Sequence, residues 1–170
     1  MQFNTTSHRT VSLILALFIF TFDQVTKFVV IRSLSIGESW PETGFFRITY
    51  VANTGSAFGL LSGLNHILIF VALMGIFVIL WVLIRTSSEF LIKIALGLML
   101  AGAAGNFVDR IAYGYVIDFI DVGPWYIFNV ADSAIVISVF VLIFVFSFGG
   151  KSNSVKCDKE ETYQNGYSNE

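Results

Sequence analysis

Residues 67–84 read ILIFVALMGIFVILWVLI: eighteen consecutive positions without a charge, a proline or an amide side chain. At 1.5 Å per residue an α-helix of this length spans about 27 Å, close to the ~30 Å hydrocarbon core of a bilayer. Outward from this stretch, three more segments approach the same length. Residues 11–31 read VSLILALFIFTFDQVTKFVVI and include Asp23 and Lys27. Residues 90–107 read FLIKIALGLMLAGAAGNF, with small residues gathered toward the end. Residues 128–148 read FNVADSAIVISVFVLIFVFSF, with Asp132 near the start. Of the 170 residues, 55% are apolar or aromatic and 13% are charged, against about 25% charged in a soluble domain. The expectation is an all-α membrane protein of four transmembrane helices, a single domain over residues 1–150 followed by a polar, disordered tail over 151–170.

A net charge of −2 offers no basic stripe for nucleic acid, and the lone cysteine, Cys157, has no partner for a disulfide or a thiolate metal site. The first span is followed by no small-residue cleavage site and is read as retained. Four spans leave both termini on one side, which collects Arg9, Arg85, Lys93, Lys151, Lys156 and Lys159, while Arg32, Arg47 and Arg110 fall on the other. The excess of basic residues puts both termini in the cytoplasm and residues 33–65 and 108–127 outside.

In the first outer segment Phe46, Ile48 and Tyr50 alternate with Arg47 and Thr49, the period of a half-buried strand, and Asn53-Thr54-Gly55-Ser56 marks a turn. This predicts a small extracytoplasmic β-hairpin or sheet in that segment; the plainer alternative is a connecting hairpin. Trp40, Trp125 and Tyr126 fit an interfacial aromatic belt.

Ionisable groups at membrane depth cost at least ~2.5 kcal/mol each on insertion scales and demand a reason. Asp23 and Lys27, four apart, share a helix face and suit an ion pair that pins the bundle. Lys27 reaching an anionic headgroup and Asp23 capping a loop backbone are alternatives. Asn106, Asp109 and Arg110 also share a face, and the plain reading of the last two is a helix-end network with backbone or with each other. Asp118 lies in the apolar run Tyr115–Ile120, and Asp132 lies one turn inside a helix with Asn129 and Ser133 on its face. The short connection between them forces these segments to meet. Two such carboxylates share a proton readily, one activating water while the other polarises a carbonyl. An N-cap and a loop acceptor explain the same two residues equally well. His8 and His66 lie far from these acids in sequence, so neither a metal set nor a serine triad is expected.

Asp23-Gln24-Val25-Thr26-Lys27, Asn53-Thr54-Gly55-Ser56-Ala57-Phe58, Gly105-Asn106-Phe107-Val108-Asp109-Arg110, Val116-Ile117-Asp118-Phe119 and Phe128-Asn129-Val130-Ala131-Asp132-Ser133 stand in this order across four spans. Together they resemble the bacterial lipoprotein signal peptidases, signal peptidase II, over roughly residues 10–148. The resemblance implies a membrane aspartic endopeptidase that removes the signal peptide of diacylglyceryl-modified prolipoproteins on the amino side of the lipidated cysteine. It implies Asp118 and Asp132 as the catalytic dyad, with Asn53, Gly55, Asn106, Asp109, Arg110, Asn129, Ala131, Asp23 and Lys27 binding substrate or supporting the site. Asn53 and Arg110 are the best candidates for substrate contact. It further implies no cofactor and no metal, membrane lipids as partners, a monomer in the inner membrane, an active site near its outer face, and outer strands that cradle substrate. Two departures stand out: Ala101 precedes Gly102 where relatives often carry two glycines, and Tyr126-Ile127 rather than a proline precede Phe128-Asn129. The rival reading is a non-enzymatic four-helix transporter or assembly subunit, which would spread its acids through the bilayer depth, whereas here Asp109, Asp118, Asp121 and Asp132 gather at one end.

Overall fold

The structure, a computed structural model, describes residues 5–55, 65–85 and 89–148. Four helices, α1 (Thr5–Ser33), α2 (Asn65–Arg85), α3 (Phe90–Tyr113) and α4 (Val130–Phe148), are long and apolar enough to cross a membrane. They alternate with three short strands, β1 (Ser39–Trp40), β2 (Arg47–Asn53) and β3 (Val116–Asp121). The expected tail, Cys157 included, lies outside the described residues, as does the stretch from Ser56 to Phe58.

Helix α3 is the centre of the bundle and packs against each of α1, α2 and α4. Its small residues make this possible. A Cβ on Gly97 would lie 2.6 Å from the Ser12 carbonyl oxygen, one on Gly102 would strike the Ala131 carbonyl, and one on Gly105 would lie 2.6 Å from Asp23 Oδ2. Ala101, the departure noted above, is buried within this tight face. Helices α1, α2 and α4 instead leave Phe18, Phe70, Phe77 and Phe140 exposed, as helices that face lipid do. Lys93, counted with the basic residues of one end, is fully buried in α3.

Two boundaries differ from the expectation in ways that matter for the site. Helix α3 continues past the apolar span at Phe107 to Tyr113, so the helix face shared by Asn106, Asp109 and Arg110 extends into the segment placed outside. The apolar run ends at Phe107, but nothing breaks the helix until Gly114, which takes φ 82° and returns its N–H to the Arg110 carbonyl. The sheet also extends beyond the first outer segment. It is three-stranded and antiparallel in the order β1-β2-β3, with β3 supplied by the second outer segment. Four of the first five β3 positions are fully buried in sequence, Val116 through Phe119, so the strand reads as a continuous apolar run instead of an alternation. Tyr50 of β2 and Ile117 and Phe119 of β3 pack with Val30 of α1, which seats the sheet on the end of the bundle.

After β3 the chain turns back at once. Ile120 and Phe128 form a bridge, with Ile120 N–H donating to the Phe128 carbonyl at 2.7 Å and Phe128 N–H donating to the Ile120 carbonyl at 3.2 Å. This closes the loop and brings Asn129 and the start of α4 beside β3.

Candidate active site

Asp118 and Asp132 come from different elements, the middle of β3 and the first turn of α4. The β2–β3 register places Val51 opposite Asp118, and Asn53, two residues further on, lies on the same face. Its amide Nδ2 donates to Asp118 Oδ2 at 2.8 Å, while its own carbonyl accepts from Gly55 N–H at 3.0 Å. On the other carboxylate oxygen, Asn129 Nδ2 donates to Asp118 Oδ1 at 2.6 Å. Asn129 caps α4 as well: its Oδ1 accepts from Asp132 N–H at 2.9 Å, and Asp132 Oδ2 accepts in turn from Asn129 N–H at 3.4 Å. One asparagine therefore touches both acids. A second, Asn106, donates to Asp132 Oδ1 at 2.8 Å.

Asp118 is 1% exposed. Burial, and then the negative charge of Asp132, push its carboxyl up to about 7, against the opposing pull of the Asn53 and Asn129 amides and the Lys27 ammonium. At neutral pH a group in this state gives and takes a proton with nearly equal ease.

Beside the pair lies a cavity of about 540 Å³, walled on its polar side by Asn53, Gly55, Asn106, Arg110, Asp132 and Ser133, and on its apolar side by Val116, Phe128, Ile135 and Val136 among others. Asp132 lines the cavity directly, and Asp118 joins it through Asn53. Arg110 holds Gly55 in place, donating from Nη2 to the Gly55 carbonyl at 3.3 Å and from Nη1 to the Asn106 carbonyl at 3.2 Å.

The remaining residues singled out from the sequence converge behind the pair. Lys27 forms ion pairs with Asp23 and Asp109, each at 2.8 Å, and donates to Asn106 Oδ1 at 3.2 Å. Asp23 also caps backbone, accepting from Ala131 N–H at 2.8 Å, so the ion pair and the cap weighed as alternatives both occur. Asp109 accepts from Ile117 N–H at 3.2 Å, and both it and Arg110 bond backbone. Sequence reasoning assigned no role to Gln24, whose Nε2 donates to Asp23 Oδ2 at 3.2 Å and Asp109 Oδ1 at 3.1 Å. A neutral amide at membrane depth was the available signal, overshadowed by the charges beside it. Equally unassigned were Asp121 and Thr49. Asp121 binds Arg47 at 2.7 Å, Thr49 Oγ1 at 2.8 Å and Gly123 N–H at 3.1 Å, clasping the far end of the sheet. Among the described residues, no group of three or more histidine, cysteine, aspartate or glutamate side chains is arranged to hold a metal ion.

The sequence profile of the family described as signal peptidase (SPase) II matches residues 15–148. The lipoprotein signal peptidase of Moorella thermoacetica is 41% identical over 137 residues, covering 76% of this chain and 88% of that protein. The Staphylococcus aureus lipoprotein signal peptidase is 36% identical over 155 residues, 88% of this chain and 93% of its own. A bacterial membrane enzyme solved by the in meso method at 2.3 Å resolution superposes with a TM-score of 0.78 at 33% identity, covering 85% of this chain and 91% of that one. With four apolar helices and relatives of this kind, the protein is a bacterial multi-pass membrane protein. The chain belongs to the signal peptidase II family.

Proposed function

We propose that this protein is an aspartic endopeptidase of the inner membrane that cleaves the signal peptide from diacylglyceryl-modified prolipoproteins on the amino side of the lipidated cysteine. Asp118 and Asp132 are its catalytic pair. The observation that carries the reading is the arrangement of these two acids: buried, on separate elements, joined through Asn129, and beside a largely apolar cavity with a polar wall. Relatives named lipoprotein signal peptidases support the substrate class.

With the Asp118 carboxyl raised to about 7 by burial and by its acidic neighbour, the pair exchanges a proton readily near neutral pH. The ionised member takes a proton from a water as that water attacks the scissile carbonyl, and the protonated member hydrogen-bonds the carbonyl oxygen as charge develops on it. Collapse of the tetrahedral intermediate returns a proton to the leaving amine. Asn53 and Asn129 hold the two Asp118 oxygens, and Asn106 holds one Asp132 oxygen, so each carboxylate meets substrate with a defined face. Asn53 and Arg110, both on the cavity wall, contact the substrate backbone.

The sheet, the pair and the cavity all lie at the end where α1 and α3 finish and α2 and α4 begin. The distribution of basic residues makes this the outer face, with both termini cytoplasmic. There the diacylglyceryl chains of the substrate remain in lipid while the scissile bond reaches water. The enzyme acts as a monomer, since both acids and their supports come from one chain. A transporter or assembly role would require acids spread through the bilayer depth, and membership of a peptidase family speaks for proteolysis instead.

The test is cleavage of a diacylglyceryl-modified prolipoprotein by the purified protein in lipid nanodiscs, with signal-peptide release followed by mass spectrometry. Asp118→Asn and Asp132→Asn each abolish release while inserting normally; full processing by either variant refutes the pair.

A further inference from the structure

Lys27 is 1% exposed, and its ammonium carries three N–H donors and no acceptor. Each donor has a buried or part-buried acceptor: Asp23 Oδ2 at 2.8 Å, Asp109 Oδ2 at 2.8 Å and Asn106 Oδ1 at 3.2 Å. The ammonium lines no part of the cavity, so it touches neither water nor substrate there.

What the three acceptors do next follows a pattern. Asp23 Oδ1 accepts the N–H of Ala131, the residue immediately before Asp132. Asp109 Oδ2 accepts the N–H of Ile117, the residue immediately before Asp118. Asn106 has its carbonyl oxygen held by the ammonium and by Asn129 Nδ2, each at 3.2 Å and each donating, so its NH₂ faces the other way, toward Asp132 Oδ1. The two acids sit on β3 and α4, and no covalent constraint tighter than the loop between them fixes their relative placement. A single cation in α1 thus sits at the root of three paths, two ending on the backbone ahead of each acid and one on a carboxylate.

We propose that Lys27 is the positioning residue of the pair, setting the separation and orientation of Asp118 and Asp132 through Asp23, Asp109 and Asn106. This rests on the reading of those two acids as catalytic. Asp23 and Asp109 act as two arms of one clamp: each bridges the ammonium to the peptide N–H of the residue that immediately precedes an aspartate of the pair. Helix α4 is thereby tied to α1, and β3 to α3, at the points where displacement would move a carboxylate. Gln24, donating to both arms, braces them against each other.

A lysine that only neutralised its neighbours would be dispensable once they are neutral, and this separates the two roles. Lys27→Met alone strands two buried carboxylates and confounds folding with catalysis, so the decisive variant is Lys27→Met combined with Asp23→Asn and Asp109→Asn. That variant removes all three charges with near-equal volume and keeps a carbonyl acceptor for each N–H. Variants are purified into nanodiscs, their folding is checked by thermal unfolding, and kcat and KM are measured on the diacylglyceryl-modified precursor. Positioning predicts a fall in kcat of about 100-fold with KM within about threefold of wild type, the cost of misplacing reacting groups by roughly an ångström. A triple variant with wild-type kcat overturns the proposal, and so does a fall in kcat matched by an equal rise in KM. Asp118→Asn and Asp132→Asn run alongside: if they still cleave, it is the catalytic pair that fails; if they are dead while the triple variant is fully active, only the role of Lys27 fails.

Discussion

Replacing Asn53 by alanine removes its bond with Gly55 N–H and a hydrogen bond to Asp118, and the second has an effect on the chemistry of definite sign. Asn53 Nδ2 donates to Asp118 Oδ2 at 2.8 Å, and a donor favours the ionised carboxylate, so this bond lowers a carboxyl that burial and Asp132 have already raised to about 7. A hydrogen bond to a charged group contributes about 1.5–3 kcal/mol. At about 1.4 kcal/mol per pH unit, its loss moves the Asp118 titration upward by about one to two pH units. Asp118 is buried, so little of this is screened by solvent. The measurement is kcat against pH between 5 and 10, for wild type and Asn53→Ala, in nanodiscs with the lipidated precursor. The two acids titrate as a pair, and the limb near pH 7 belongs to whichever step requires Asp118 in one state. If Asp118 starts protonated, that limb falls with pH and the variant keeps its plateau to higher pH; if it starts ionised, the limb rises with pH and the variant needs more alkaline solution. Displacement is upward in both cases, and the shape of the limb says which acid carries the proton. A limb that stays in place, or moves to lower pH, refutes the electrostatic account of the pair.

Gly105→Ala places a Cβ 2.6 Å from Asp23 Oδ2 and 3.2 Å from Ala131 Cβ, so it costs about 1–3 kcal/mol by overpacking and lowers kcat, whereas Gly75→Ala meets no atom within 4 Å and leaves the thermal unfolding midpoint unchanged or higher. Asp121 is held below the usual carboxylate range by Thr49, the Gly123 N–H and Arg47, which together outweigh its burial. A carboxyl depressed on folding contributes stability that is complete above its unfolded value of about 4 and is lost as pH falls through the folded one. Thermal melts of wild type should therefore decline below about pH 4, while Asp121→Asn, lower by about 1–3 kcal/mol at neutral pH, declines less over the same interval. Arg110→Lys removes the planar fork that reaches the Gly55 and Asn106 carbonyls together, and steady-state kinetics should show KM rising more than kcat falls.

How much of this was legible in the sequence depends on what each feature contrasts with. The four helices stand out because eighteen uncharged apolar positions have no reading as a short loop, and β2 stands out because Arg47 and Thr49 alternate with Phe46, Ile48 and Tyr50. The shared helix face of Asn106, Asp109 and Arg110 was legible, but the end of α3 at Tyr113 was not, because hydropathy and helicity end at different residues: these three are polar enough to end an apolar run while the helix continues to Gly114. Strand β3 escaped for the opposite reason. Buried between β2 on its edge and α1 and α3 on its faces, it has no wet side to leave an alternating trace. Asp118 and Asp132 were visible as acids in apolar surroundings, but their meeting on one asparagine was not. That contact depends on the Ile120–Phe128 bridge, which no residue type announces.

Some parts of the site that sequence could not supply have backbone N–H groups as partners. Asp23 and Ala131 are 108 residues apart, and only the folded chain says that one caps the other. This bears on why Asp23, Lys27 and Asp109 exist at all. A buried ion network contributes little net stability, because desolvation consumes most of what the charges gain, and apolar residues of similar volume often stabilise as well or better. The close helix contacts at Gly97, Gly102 and Gly105 already hold the bundle by packing. What an apolar set lacks is an acceptor for the N–H groups of Ala131 and Ile117 and the second donor that, with Asn129, holds the Asn106 carbonyl oxygen. Those tasks satisfy buried N–H groups and, because they fall beside Asp118 and Asp132, orient the pair as well, so the cost of three charges in the interior is matched by a requirement of the site in addition to that of the fold.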